Sequence, residues 1–269
     1  ANFVSESHLI SVIGDDFPEN KLALLRSSGV NLDGLQIKKG EKSFFWSGKY
    51  HNDMNSRDTL VTELNVLEHF EPLVPESAQG SKYVMLGNLA PAVQLSVLDQ
   101  LKEKPKLVVL DTMNFWMDIA LDQLKEVVAR VDVLTINDEE ARQLSGEYSL
   151  ALAAKKILTM GPSFLIIKKG EHGALLFDKQ NMFFAPAMPL ELVKDPTGAG
   201  DTFAGGFIGY LAKTDDISFD NMKRALIMGS AMASKCVEEF GTEKLESLTS
   251  SEIDDRIKDF INLTTVNFN

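Results

Sequence analysis

The segment Asp195-Pro196-Thr197-Gly198-Ala199-Gly200-Asp201-Thr202-Phe203 carries the residue types that phosphate chemistry needs. Gly198, Ala199 and Gly200 are small, so their backbone N–H groups can approach an anion closely. A helix starting near Ala199 adds exposed amides and the positive end of its dipole. Asp201 then falls in the first turn, where a carboxylate can take a proton from an attacking hydroxyl. The same spacing also suits an ordinary helix N-terminus with a favourable acid, and spacing alone does not separate the two. The P-loop pattern G-x-x-x-x-G-K-[ST] is absent, and no G-x-G-x-x-G lies between a strand and a helix, which argues against a dinucleotide-dependent oxidoreductase.

The helix that follows is glycine-rich. Phe203, Phe207, Tyr210 and Leu211 mark an apolar stripe, yet Gly205, Gly206 and Gly209 interrupt it, each costing about 1 kcal/mol relative to alanine. The next helix carries Ala225, Gly229 and Ala233 at four-residue spacing. Two closely packed helices, or two helices bordering a flat nucleotide base, explain these small residues equally well. Asn137 and Glu140, and the run Lys168-Lys169-Gly170 with Gly173 beyond it, each follow an apolar run. Alone, the first pair is an ordinary strand exit and the lysines a solvated surface.

Those residues need a scaffold, and the hydropathy pattern supplies one. Short apolar runs at 8–13, 83–87, 107–110, 133–136 and 164–167 read as strands. They alternate with helices near 18–28, 91–102, 118–129 and 149–159. Runs at 174–177 and 181–184 read as a hairpin, and helices are predicted near 199–212, 219–238 and 250–261. This alternation predicts an α/β fold with a mostly parallel central sheet covered by helices on both faces, in which ligands bind beyond the C-terminal strand ends. Residues 35–63 break the pattern. Phe44, Trp46 and Tyr50 share one face of an extended strand, a polar turn follows, and then Thr59-Leu60-Val61-Thr62. This predicts a small β lid around 35–63 within a single domain spanning 1–269.

The formal net charge is −12, so nucleic acid and anionic membranes are poor partners. No apolar run approaches the ~18 residues that span a bilayer, and a soluble cytoplasmic protein is expected. Cys236 is the only cysteine, which leaves no intrachain disulfide and no cysteine cluster for a metal.

Taken from Asp195 through Phe207, the glycine-rich segment resembles the C-terminal signature of the ribokinase-like (PfkB) carbohydrate kinases. The resemblance implies an ATP- and Mg²⁺-dependent kinase that phosphorylates a hydroxyl of a sugar or sugar-like molecule. A nucleoside kinase of the same family is the nearest alternative, and a non-catalytic sugar- or nucleotide-binding regulator a more distant one. It implies that Asp201 is the general base and that Gly198, Ala199 and Gly200 form the anion hole. Asn137 and Glu140 resemble an N-x-x-E motif near Mg²⁺ and phosphate. Lys168, Gly170 and Gly173 resemble the strand end and turn bordering the nucleotide. Asp195 and Thr197 fit half of a monovalent-cation site. The lid would exclude water, and in several members it also forms a homodimer contact; Phe44, Trp46 and Tyr50 could cover substrate, clasp a second subunit or pack on the main sheet.

The resemblance also sets two expectations at the edges of the site. Val12-Ile13-Gly14-Asp15-Asp16 resembles the family's strand after its Gly-Gly segment. About 30 residues or more, one βα unit with the main substrate-recognising residues, would then lie before Ala1. Asp111-Thr112-Met113-Asn114 is not followed by the arginine of sugar-acid kinases, which disfavours a carboxylated sugar.

Overall fold

The computed structural model describes residues 7–54 and 56–266; residues 1–3, on which the expectation of a preceding strand turns, lie outside them. In chain order the elements are β1 (Ser7–Gly14), α1 (Glu19–Ser27), β2 (Val30–Lys38), β3 (Phe45–Tyr50), β4 (Arg57–Glu63), β5 (Tyr83–Leu86), α2 (Pro91–Gln100), β6 (Leu107–Asp111), α3 (Asn114–Ile119), α4 (Leu121–Val128), β7 (Val133–Asn137), α5 (Asp138–Ser145), α6 (Leu150–Ile157), β8 (Phe164–Lys168), β9 (Ala174–Phe177), β10 (Met182–Ala185), α7 (Ala199–Thr214), α8 (Phe219–Cys236), α9 (Glu243–Ser247) and α10 (Ser250–Thr264).

Strands β5 to β8 run parallel, and the β9–β10 hairpin extends them antiparallel, in the order β10-β9-β8-β7-β6-β5. Successive residues of β6 point to opposite faces. Val108 and Leu110 join Leu134, Ile136, Leu165 and Ile167 against α3 to α6. Leu107 and Val109 join Val133, Ile166 and Leu176 against α7 and α8. Burial on both faces is why these strands read as unbroken apolar runs, each large side chain contributing about 1.5–3 kcal/mol.

Strand β1 pairs in parallel with β2 across α1, as a separate two-stranded sheet. Residues 35–38, assigned above to the lid, belong to this strand. Its sequence hides it, because polar residues and Gly34 interrupt Val30, Leu32 and Leu35. Gly34 is needed there: a Cβ would stand 2.9 Å from Ile10 Cγ1 and from the Leu9 carbonyl. The lid proper is the antiparallel pair β3–β4. Phe44 precedes β3, whereas Trp46 and Tyr50 lie within it.

Three further elements differ from expectation. The helix predicted over 118–129 is two helices, broken at Ala120 (φ −143°). Helix α5 follows β7 without a loop, because Asn137 caps it directly. Helix α9 is a five-residue segment that sequence periodicity is too short to reveal.

Helices α7 and α8 cross at their glycines. A Cβ on Gly206 would lie 2.9 Å from Met232 Cγ and 3.2 Å from Gly229 Cα, and one on Gly229 would lie 2.7 Å from the Phe203 carbonyl oxygen. Helix packing therefore accounts for these two positions. Gly205 is different, since nothing lies within 4 Å of its Cβ position. Among the described residues no helix is long and apolar enough to cross a membrane.

Candidate active site

Parallel pairing brings three strand ends together. Asp111 lies opposite Thr135, and Asn137 opposite Lys168. The Lys168 amine donates to Asp111 Oδ1 at 2.7 Å, and Thr135 Oγ1 donates to the same oxygen at 2.7 Å. Asp111 is 6% exposed, so this ion pair and its hydroxyl donor satisfy a carboxylate that burial would otherwise penalise.

Helix α7 begins over this pair. Its N-cap, Gly198, has φ 80°, a left-handed conformation that glycine adopts without strain. A Cβ on Gly200 would stand 3.5 Å from Lys168 Nζ, so the amine lies against the glycine-rich turn. Asp201 is in the first turn. Its side chain reaches solvent, but protein atoms crowd around it. That desolvation raises its pKa, as does the negative charge of Asp111, while Lys168 and Arg57 act in the opposite direction. A helix N-terminus, a lysine and a carboxylate thus converge on one surface.

Asn137 and Glu140 form a reciprocal capping box. Asn137 Oδ1 accepts from the Glu140 amide at 2.8 Å, and Glu140 Oε2 accepts from the Asn137 amide at 2.7 Å. Glu140 is 6% exposed. Burial is the main cause that pushes its pKa up to about 7; the Asn137 amide and Lys168 oppose this, and Asp111 adds to it. The N-x-x-E spacing is therefore first a structural device, and it presents a buried carboxyl to the Asp111–Lys168 pair.

The turn after β8 is built on Gly170 (φ 54°) and Gly173 (φ 86°). A Cβ on Gly173 would lie 2.1 Å from the Ala185 carbonyl oxygen, so chain packing alone demands glycine there. Asp195 ties two loops together: Oδ1 accepts from the Thr197 amide at 2.9 Å and Oδ2 from the Gly241 amide at 3.0 Å. Burial works to raise the Asp195 pKa, but hydrogen bonds from Thr197 and Gly241 outweigh it and hold the group below its usual value.

The lid root is latched to the end of β1. The Gly40 amide donates to Asp15 Oδ2 at 2.8 Å, and the Ser43 amide and hydroxyl donate to Asp16 Oδ1 at 2.8 and 2.7 Å. A Cβ on Gly14 would lie 2.2 Å from the Glu41 carbonyl oxygen. At the other end of β3, Thr197 Oγ1 donates to Tyr50 Oη at 3.3 Å. Trp46, Tyr50, Met54, Asp195, Thr197 and Phe240 are among the residues lining a cavity of about 410 Å³ between lid and loop. Of the three readings open for the lid aromatics, Tyr50 takes none in pure form: it contacts the loop just before the glycine-rich turn.

The pfkB family carbohydrate kinase model matches residues 1–248. The chain belongs to that family. It is a phosphotransferase with an alcohol group as acceptor. This pfkB-family chain is 34% identical over 209 residues to a cytidine kinase of Thermococcus kodakarensis, covering 75% of the chain and 73% of that protein. It is 25% identical over 242 residues to a nucleoside kinase of Methanothermobacter thermautotrophicus, covering 87% and 74%. In fold it is similar to a putative ribokinase II of E. coli solved with ATP and Mg²⁺, with a TM-score of 0.78 at 20% identity, covering 96% of this chain and 85% of that one. The nucleoside kinase of Methanocaldococcus jannaschii gives 0.76 at 20% identity, covering 96% and 82%.

The structure brings together Asp201, Gly198, Ala199, Gly200, Lys168, Asn137 and Glu140. Gly170 and Gly173 form the adjoining turn, and Asp195 and Thr197 the loop before the glycines. Sequence reasoning missed Asp111 as the partner of Lys168, though its place at a strand end was a signal. It also missed Arg57, whose charge acts on Asp201; the sequence reads as a polar turn there, whereas Arg57 is the first residue of β4.

Proposed function

We propose that this pfkB-family kinase transfers the γ-phosphate of ATP to a ribose hydroxyl of a nucleoside, with cytidine the first acceptor to test. The observation that carries the phosphoryl-transfer reading is the placement of Asp201 beside the Gly198, Ala199 and Gly200 amides, with Lys168 Nζ against that turn. The likeness to a cytidine kinase and a nucleoside kinase supports the acceptor class.

Asp201 takes the acceptor's proton as its oxygen bonds to the γ-phosphorus, and the bond to the β,γ-bridging oxygen breaks with its electron pair leaving on ADP. The α7 N-terminal amides and Lys168 stabilise the negative charge on the phosphoryl oxygens. Among the described residues no cluster of three His, Cys, Asp or Glu side chains forms a metal cage. Mg²⁺ is ordinarily held by one or two carboxylates together with substrate phosphates, and two buried carboxyls, Asp111 at the end of β6 and Glu140 in the first turn of α5, fit that arrangement. When bound, Mg²⁺ neutralises phosphate charge. The Asp195 carboxylate and Thr197 fit a monovalent cation that would stiffen the loop joined to Gly241. Exposed Leu60 and Val61 on β4 fit a lid-to-lid homodimer.

The test is ADP release from ATP and Mg²⁺ with cytidine, uridine, adenosine, inosine, ribose and fructose, in potassium and in sodium buffer. Cytidine or another nucleoside should be preferred over free sugars at least tenfold in kcat/KM. A preference for ribose or fructose overturns the nucleoside assignment, and no turnover with any acceptor overturns the kinase reading. Sedimentation of the wild type beside Leu60→Glu tests the homodimer.

A further inference from the structure

The lid carries an arginine that the family signature does not include. Arg57 opens β4 and pairs across the hairpin with Tyr50, the residue hydrogen-bonded to Thr197. Docking of Tyr50 on the 195–197 loop therefore brings Arg57 toward the glycine-rich turn. Its guanidinium lies 5.3 Å from the Trp46 ring centroid, which holds the side chain without using its N–H donors. Among the described residues it makes no ion pair. Asp58, beside it, is taken by His51, 3.0 Å away.

Charge balance gives this cation a task. An incoming triphosphate meets the carboxylates of Asp201, Asp111 and Glu140. Lys168 is the cation at that turn, and its charge is already matched by Asp111. Mg²⁺ held by Asp111 and Glu140 would offset part of the phosphate charge, which leaves the oxygens of the transferred group on the lid side to be met by a donor, and a planar fork of donors suits phosphate oxygens. The field of Arg57 reaches the Asp201 carboxyl, which agrees with a position at the same opening.

We propose that Arg57 is a catalytic residue, carried by the lid to the transferred phosphoryl group, which it contacts opposite the Gly198, Ala199 and Gly200 amides. The proposal rests on the kinase reading above. It makes lid docking a condition for completing the charge around the phosphoryl group, so that hydroxyl attack is favoured over attack by water.

Arg57 is exposed on the lid, so Arg57→Ala should fold normally, as thermal unfolding will verify. In single-turnover transfer to the preferred acceptor, Arg57→Ala should be about 10²-fold slower, with acceptor KM changed less than threefold. Arg57→Lys should recover part of the loss, since it restores charge without the fork. A rate for Arg57→Ala above half that of the wild type overturns the proposal. A second measurement does not depend on turnover. Trp116→Phe leaves Trp46 as the sole tryptophan, and its fluorescence is followed on adding Mg²⁺ with ADP or with a non-hydrolysable ATP analogue. The analogue should change the Trp46 emission more than ADP does, and Arg57→Ala should abolish that difference. If the wild type phosphorylates no acceptor, the kinase reading fails by itself, and the fluorescence alone decides on Arg57: a γ-phosphate response that survives Arg57→Ala overturns it.

Discussion

Asp201, Lys168 and Glu140 respond to one local field, and each can be tested separately. Asp201→Asn removes the proton acceptor but keeps the shape, so kcat should fall by ~10²-fold or more while ATP binding, measured by calorimetry, stays nearly unchanged. Because burial and Asp111 raise the Asp201 pKa, the acid limb of the rate profile should lie above the ordinary carboxylate range. Lys168→Met strips the cation from a carboxylate that is 6% exposed and should cost about 3 kcal/mol in chemical denaturation. The double variant Asp111→Asn, Lys168→Met should regain much of that loss, because no buried charge is left alone. Additive losses would show that the pair does not act as a unit. Burial pushes the Glu140 pKa up to about 7 in the folded protein, from an ordinary 4.5. A raised carboxyl contributes its stability in full below the unfolded value and loses it as pH climbs through the folded one. Stability should therefore fall by about 3 kcal/mol between pH 4.5 and pH 8 from this group, and Glu140→Gln should remove that slope.

At the scale of elements, the two α7 glycines give opposite expectations. Gly206→Ala forces a Cβ toward Met232 and Gly229 and should destabilise by about 1–3 kcal/mol. Gly205→Ala meets open space and should raise the melting temperature, since alanine improves a helix by up to about 1 kcal/mol. If Gly205→Ala also raises KM for ATP several-fold, that open space belongs to the nucleotide. This contrast shows what was legible in the sequence. The strands β5 to β8 announce themselves because burial on both faces leaves unbroken apolar runs. The glycine-rich turn is readable because close backbone approach leaves few residue types. β2 was hidden, since its pairing with β1 is tertiary and its own residues alternate poorly. Asn137 and Glu140 were visible as a spacing, but the same spacing serves a capping box, and only the hydrogen bonds show that it forms one. Arg57 carries no local signature, because its significance comes from a register with Tyr50 that no sequence window contains.

Across the whole molecule, the lid is fastened at its root and at its far end. Its root is held by Asp15 and Asp16 through three hydrogen bonds, and its far end meets the body through the 3.3 Å Tyr50–Thr197 hydrogen bond. Amides of β3 and β4 should therefore exchange hydrogen much faster than those of β6 to β8, and should slow when acceptor and nucleotide are added together. Asp16→Ala should speed that exchange further and raise acceptor KM more than ATP KM. Equal protection of lid and core strands in the free protein, unchanged on ligand addition, would sink the view of β3–β4 as a moving cover.

The order of these parts along the chain has an evolutionary consequence. β1 to β4, with the latch and the lid, are contiguous from Ser7 to Glu63, and the groups proposed to face phosphate, apart from Arg57, lie after Tyr83. The β1–β2 pair shares no ladder with β5. One crossover between residues 64 and 82 therefore exchanges the lid-bearing half, Arg57 included, as a cassette and leaves Asp201, Lys168 and the glycine-rich turn in place. Chimeras joined there between this chain and a relative of different acceptor preference should inherit that preference with the transplanted half, whereas junctions inside the six-stranded sheet should cut through a shared core and fail to fold.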